Sequence, residues 1–138
     1  MSIRESEKII YLIAGEPSGD TIGADLIDSL NQNTKEKILF CGVGGPKMKS
    51  LGLNSLFPID DLSIMGFAEI IPHIPKLLKR IQQVKNDILA KKPCCVITID
   101  SPDFNFRVGN AIKNAGIPLV HYVAPTVWAY RKGRAKKI

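Results

Sequence analysis

The chain has 138 residues, one ordinary domain's worth, and 45% of them are apolar, enough to close a single core. Charged residues make up 23%, which excludes a disordered polyelectrolyte, and no apolar run nears the ~18 residues a membrane-spanning helix needs. The net charge of +6 is local: up to Tyr130, 14 Lys and Arg face 13 Asp and Glu, so a uniformly basic, nucleic-acid-coating protein is excluded. The excess sits in Arg131, Lys132, Arg134, Lys136 and Lys137, and the sequence stops inside that basic segment, as an interrupted chain does. The N-terminus is charged and has no signal-peptide apolar stretch, so a cytosolic location is expected. Cys41, Cys94 and Cys95 form neither a CxxC nor an even framework; this fits a reducing compartment and gives no zinc site.

In chain order, Lys8–Ala14 is a continuous β-branched apolar run ending at Gly15, the pattern of a parallel strand buried on both faces. After Gly15-Glu-Pro-Ser-Gly-Asp20 a helix is predicted with Ile22, Leu26, Ile27 and Leu30 inward and Asp20 as its N-cap. Lys37–Cys41 reads as a second strand, closed by Gly42-Val-Gly-Gly-Pro46, with a short helix over Pro46–Ser50. From Phe67 the apolar positions Ile70, Ile71, Ile74, Leu77, Leu78, Ile81, Val84, Ile88 and Leu89 keep a three-four spacing. Pro72 and Pro75 delay the regular helix to about Pro75, and Ile81, Val84 and Ile88 are its expected core. Cys94–Asp100 is the next strand, then a helix from about Phe106 to Ala115, Gly116 as its C-cap, and a strand over Ile117–Val123. This alternation predicts one α/β domain with a mainly parallel sheet, whose ligand chemistry lies in the loops after the strand ends. Those loops are Gly15–Asp20, Gly42–Pro46, Asp100–Asn105 and Ala124–Arg134.

The first loop has glycines four apart and the second places Lys47 where GxGxxG needs its third glycine, so neither binds a dinucleotide by that fingerprint. No GxxxxGK[ST] phosphate loop is present. Ser18 on a strand-to-helix turn invites a hydrolase reading with His121 and Asp100, but GxSxG is absent, the serine standing one place late. A helix-entry serine bonded to backbone amides, or one touching a ligand, are its other readings. The helix dipole by itself favours carboxylates such as Glu16 and Asp20 at that turn. Asp100 ends an apolar strand, where α/β enzymes keep acids and bases, and Asp103 lies three residues on; the pair reads as base and orienter, or as a turn residue and a helix cap. His73 and His121 are too distant in sequence to imply a metal pair, and no cofactor or metal is expected. Lys76, Lys79, Arg80 and Lys85 line the long amphipathic helix, either as a solvated face or as a contact for an anionic membrane.

Five segments, Ala14-Gly-Glu-Pro-Ser-Gly-Asp20, Gly42-Val-Gly-Gly-Pro-Lys-Met48, Met65-Gly-Phe-Ala-Glu69, Ile99-Asp-Ser-Pro-Asp-Phe-Asn105 and His121-Tyr-Val-Ala-Pro-Thr-Val-Trp-Ala-Tyr-Arg131, together resemble the lipid-A-disaccharide synthase family, in order and spacing, across Lys8–Arg134. Ala124, Thr126 and Tyr130 depart mildly from its pattern. The resemblance implies the N-terminal, acceptor-side Rossmann-like three-layer domain of a two-domain GT-B glycosyltransferase, with the C-terminal donor domain beyond this sequence. It implies inverting transfer from UDP-2,3-diacylglucosamine to 2,3-diacylglucosamine 1-phosphate, giving the β-1,6 disaccharide phosphate and UDP, without a required metal. It implies work at the inner face of the cytoplasmic membrane of Gram-negative bacteria. By matching motif, Asp100 is the expected catalytic base and Asp103 and Asn105 orient it or the sugar. Glu16, Ser18, Gly19, Asp20, Met65, Gly66 and Glu69 would line the cleft, Arg131 and Arg134 would hold phosphate, and Trp128 would pack on an acyl chain or sugar. A lone chain is then expected to fold without transferring sugar, with a separate C-terminal-domain chain as its partner; a non-catalytic ligand-binding remnant is the alternative.

Overall fold

The structure, a computed structural model, describes residues 7–62 and 74–122. Strands β1 (Glu7–Ala14), β2 (Lys37–Val43), β3 (Asn54–Ser55), β4 (Cys95–Ile99) and β5 (Leu119–Tyr122) pair in parallel in the order β3-β2-β1-β4-β5. Helix α1 (Pro17–Asn33) links β1 to β2, α2 (Pro46–Ser50) precedes β3, α3 (Ile74–Lys91) precedes β4, and α4 (Pro102–Ile112) precedes β5. The chain winds outward from β1 through β2 and β3, then resumes on the other side of β1 with β4 and β5. This is the Rossmann-like arrangement that the order of elements predicts, and the order reverses between β1 and β4.

Strand alternation divides the core into two layers. Tyr11 and Ile13 face a cluster with Leu77, Val84, Ile88, Phe104, Val108 and Ile112 from α3 and α4. Their neighbours Ile10, Leu12 and Ala14 face Ile27, Phe40, Met48 and Leu53 on the α1 and α2 side. A strand enclosed by helices on both sides has no polar face, which is why Ile9–Ala14 is uninterrupted apolar sequence. Tyr11, wholly buried, donates its hydroxyl to Asp87 of α3 at 2.7 Å, and Lys91 holds the same carboxylate at 2.8 Å. Burial first, then that hydrogen bond, raises the Tyr11 hydroxyl above its ordinary value.

Several boundaries differ from the sequence reading. Helices α1 and α4 begin at Pro17 and Pro102, not after Asp20 or at Phe106. Proline's fixed φ suits the first helical position, and its missing N–H has no helical acceptor to lose there. Strand β2 continues to Val43, and β3 is two residues long, too short for any periodic signal. On α3, Val84 and Ile88 are wholly buried and Ile81 packs against their cluster, as predicted. Leu78 and Leu89, counted on the same face, are 54% and 39% exposed; each sits about a quarter-turn or more off the Leu77–Val84–Ile88 axis. Gly116 adopts the left-handed C-cap at φ 74° after a 3-10 turn over Lys113–Ala115. The predicted segment around Phe67 and Ile70 lies outside the described residues. Among the described residues no helix is long and apolar enough to cross a membrane.

Candidate functional site

The loops leaving β1 and β4 meet where the strand order reverses, the position at which open α/β sheets form their ligand crevice. A Cβ on Gly15 would collide with the Ser101 side chain and stand 3.4 Å from Leu62 Cβ, so glycine is what lets the two loops close together. Glu16, half-buried and extended, precedes α1 without capping it by its side chain, and its carbonyl accepts the Asp20 amide at 3.0 Å. Ser18 is exposed in the first turn of α1, and Gly19 is buried against Ala14 and Ile99.

Asp20 does a different job from the N-cap predicted for it. It lies inside α1, 3% exposed, and reaches across to α2. Its carboxylate accepts the amides of Gly45 (2.9 Å), Lys47 (2.9 Å) and Met48 (3.0 Å). Gly45 is the N-cap of α2 and has no side chain to offer, so a carboxylate from α1 caps α2 instead. A Cβ on Gly45 would fall 2.7 Å from Asp20 Oδ2, which fixes glycine at that position. The second glycine-rich motif is thus packed around an internal anion.

After β4 the backbone turns through Asp100 and Ser101, both left-handed at φ 47° and 42°. Neither is glycine, and such conformations cost about 1–2 kcal/mol per residue. Asn105, 2% exposed, holds the turn: its Nδ2 donates to the carbonyls of Asp100 (2.8 Å) and Ile99 (3.4 Å). Its Oδ1 is buried with no hydrogen-bond partner among the described residues. The Asp100 amide donates to Tyr122 of β5 at 3.0 Å, so the strand-end carboxylate is carried on a turn tied to both neighbours. Strain held this firmly is characteristic of working turns. The Asp103 side chain, Met65, Gly66, Glu69, His73, Trp128, Arg131 and Arg134 lie outside the described residues.

The hydrolase reading loses its geometry here. A triad needs its carboxylate on the histidine Nδ1, and Thr98 Oγ1 occupies that atom of His121 at 2.6 Å. Sequence reasoning did not find the wall formed by residues 57–62. Arg80 of α3 lies over the Phe57 ring at 4.5 Å, Phe57 meets Phe104 edge-on, and Asp61 pairs with both Arg80 and Lys76. No spacing rule joins Asp61, on a helical segment beginning at Asp60, to an arginine 19 residues further on. Among the described residues no three His, Cys, Asp or Glu side chains gather as metal ligands.

Fold and crevice define a Rossmann-like α/β domain with a carboxylate-bearing turn at its switch point. A family model described as lipid-A-disaccharide synthetase matches residues 10–138, and the chain belongs to that family. It is 51% identical over 132 residues to the lipid-A-disaccharide synthase of Rhodospirillum centenum, covering 94% of this chain and 33% of the relative. The enzymes so named from Paramagnetospirillum magneticum (48%; 94% of this chain, 34% of the relative) and Actinobacillus pleuropneumoniae (46%; 99% and 34%) are similar to it as well. The chain spans about a third of the length of these relatives.

Proposed function

We propose that this domain, residues 1–138, forms the acceptor side of an inverting GT-B glycosyltransferase that makes the lipid A disaccharide. The donor is UDP-2,3-diacylglucosamine, the acceptor is 2,3-diacylglucosamine 1-phosphate, and UDP leaves. The observation that carries this reading is the Asp100 turn, which sits at the switch point inside the family match and is locked by Asn105. A sugar's primary hydroxyl attacks an anomeric carbon only as a carboxylate draws off its proton, and Asp100 is the base in this scheme. Asn105 acts on the turn that aims Asp100, and Asp103 is its other orienting partner. Glu16, Ser18 and Gly19 line the acceptor cleft in this scheme, and by family motif Met65, Gly66 and Glu69 share that role. Asp20 keeps that side in register through the α2 cap. Arg131 and Arg134 grip phosphate oxygens, and Trp128 receives an acyl chain or sugar face. The reaction belongs in this scheme at the inner face of the cytoplasmic membrane, where the substrates' acyl chains are held, with Lys79 and Lys85 of α3 available to anionic lipid, Lys76 and Arg80 being paired with Asp61.

In-line displacement needs donor and acceptor in register, an alignment worth ~7–11 kcal/mol of barrier. Residues 1–138 without the donor domain forgo it. The test compares the 138-residue chain with the same chain joined to the remaining two-thirds of the Rhodospirillum centenum relative, assayed for disaccharide phosphate. Product from the joined protein and none from the chain alone is expected. Turnover by the chain alone would overturn the division of labour, and a folded but inert joined protein would overturn the proposed reaction.

A further inference from the structure

Residues 57–62, which follow β3, are fastened at both ends. At the start, the Leu56 amide donates to the Gly42 carbonyl at 2.8 Å. Ser55 Oγ accepts the Gly44 amide at 3.1 Å and donates to the Phe57 carbonyl at 2.6 Å. At the finish, Arg80 of α3 donates from Nη2 to the Asp61 carboxylate, and Lys76 lies 3.4 Å from it. The Arg80 and Asp61 side chains are only 18% and 16% exposed, so this pair is largely out of water, unlike a surface ion pair. Arg80 also donates from Nη1 to Gln83 at 2.6 Å, and its guanidinium lies 4.5 Å over the Phe57 ring.

From this clamp two lines of contact reach the Asp100 turn. Phe57 meets Phe104 edge-on with ring centroids 6.5 Å apart, and Phe104 adjoins Asn105, whose side chain holds the Asp100 carbonyl. Leu62, next to Asp61, stands against Gly15, which in turn abuts the Ser101 side chain. Packing alone does not require an arginine here. Apolar side chains of similar volume fill such a space without taking two charges out of water, and the Arg80 Nε is buried with no partner among the described residues. What the guanidinium supplies is direction, because a planar fork that is also stacked on a ring admits one orientation. We propose that Arg80 and Asp61 are positioning residues that set Phe57 and Leu62 against the loops leaving β1 and β4 and so aim the Asp100 carboxylate. The inference rests on the reading of Asp100 as the base, and its test separates the two.

The test replaces the pair by apolar residues, Arg80→Met with Asp61→Leu, which leaves no lone charge to unfold the chain. In the 138-residue chain, amide hydrogen exchange at Leu62 and Asn105 should quicken at least ~10-fold, while the Gly45 and Met48 amides behind Asp20 keep their rate. Arg80→Lys keeps a cation beside Asp61 without the fork or the stack; it should show the same pattern and carries the test if the double variant does not fold. In the joined protein the double variant should lose ~10–100-fold in kcat with KM little changed, as a misaimed base does. Unchanged exchange at Leu62 and Asn105, or equal quickening at all four amides, would overturn the clamp. Normal kcat in a double variant with loosened amides would overturn its positioning role. A joined protein inert without any substitution would instead sink the proposed reaction, and the exchange pattern would still decide the clamp.

Discussion

After β2 the chain passes through Gly44 and Gly45 with its amides satisfied: Ser55 Oγ accepts from Gly44 at 3.1 Å, and Asp20 takes Gly45, Lys47 and Met48. After β4 it passes through two left-handed non-glycine residues, and the side-chain amide that holds them keeps a buried acceptor atom without a partner among the described residues. Both loops leave the same edge of one sheet, and both belong to motifs that resemble the same family. The first is closed on itself and needs nothing from outside. The second stores strain and keeps an unanswered polar atom, a state that folded proteins tolerate chiefly where it serves a function. Similar sequence prominence therefore conceals two different loops, one a scaffold and the other, in the proposed function, the carrier of the reacting group.

The largest expected effect is at the scaffold. Asp20→Ala removes the acceptor for three buried or half-buried amides and should cost about 3 kcal/mol in denaturant unfolding. Exchange of the Gly45, Lys47 and Met48 amides should quicken with it; a loss under about 1 kcal/mol would break the contrast.

Tyr11→Phe, inside the sheet and away from both loops, should cost about 1 kcal/mol for its hydroxyl bond to Asp87. Because the folded state raises this hydroxyl above its ordinary 10.0, the unfolded chain releases the proton first as pH rises. Stability is full below pH 10 and should fall above it in the native chain. The phenylalanine variant should show a flatter alkaline slope in the same unfolding series.

At the strained turn the sign should reverse. Ser101→Gly relieves one left-handed residue and should stabilise the fold by up to about 1 kcal/mol, the gain being reduced by glycine's unfolded-state entropy. A destabilised variant would mean that the turn is not strained. The smallest effect is expected from Ser18→Ala, within ~0.5 kcal/mol by thermal unfolding, because Ser18 is exposed and its side chain does not cap α1.

The sheet was legible because β1 is buried on both faces, so Ile9–Ala14 is apolar throughout, and because β4 (Cys95–Ile99) is apolar but for Thr98; β5 is exposed along its length. The long helix was legible from its spacing, but its apolar width was overread at Leu78 and Leu89, since residue type alone does not say how wide the buried stripe is. Asp100 was singled out because it ends an apolar strand, and its part as base is the reading proposed above. Asn105 was named as an orienter of Asp100 or the sugar through the family motif, but its grip on a turn whose left-handed φ values no glycine announces was not legible, nor was the part of Asp20, which caps a helix 25 residues away that only folding brings near. The Asp61–Arg80 pair, 19 residues apart, was hidden for the same reason.

The central claim is that the carboxylate on the strained turn, not the one on the satisfied loop, takes the proton. Its most direct test is the Asp100→Asn variant of the joined protein, measured for kcat and KM on both sugar substrates. Turnover should fall at least ~100-fold with KM little changed, since the removed interaction belongs to the transition state. Near-normal turnover in Asp100→Asn would contradict it.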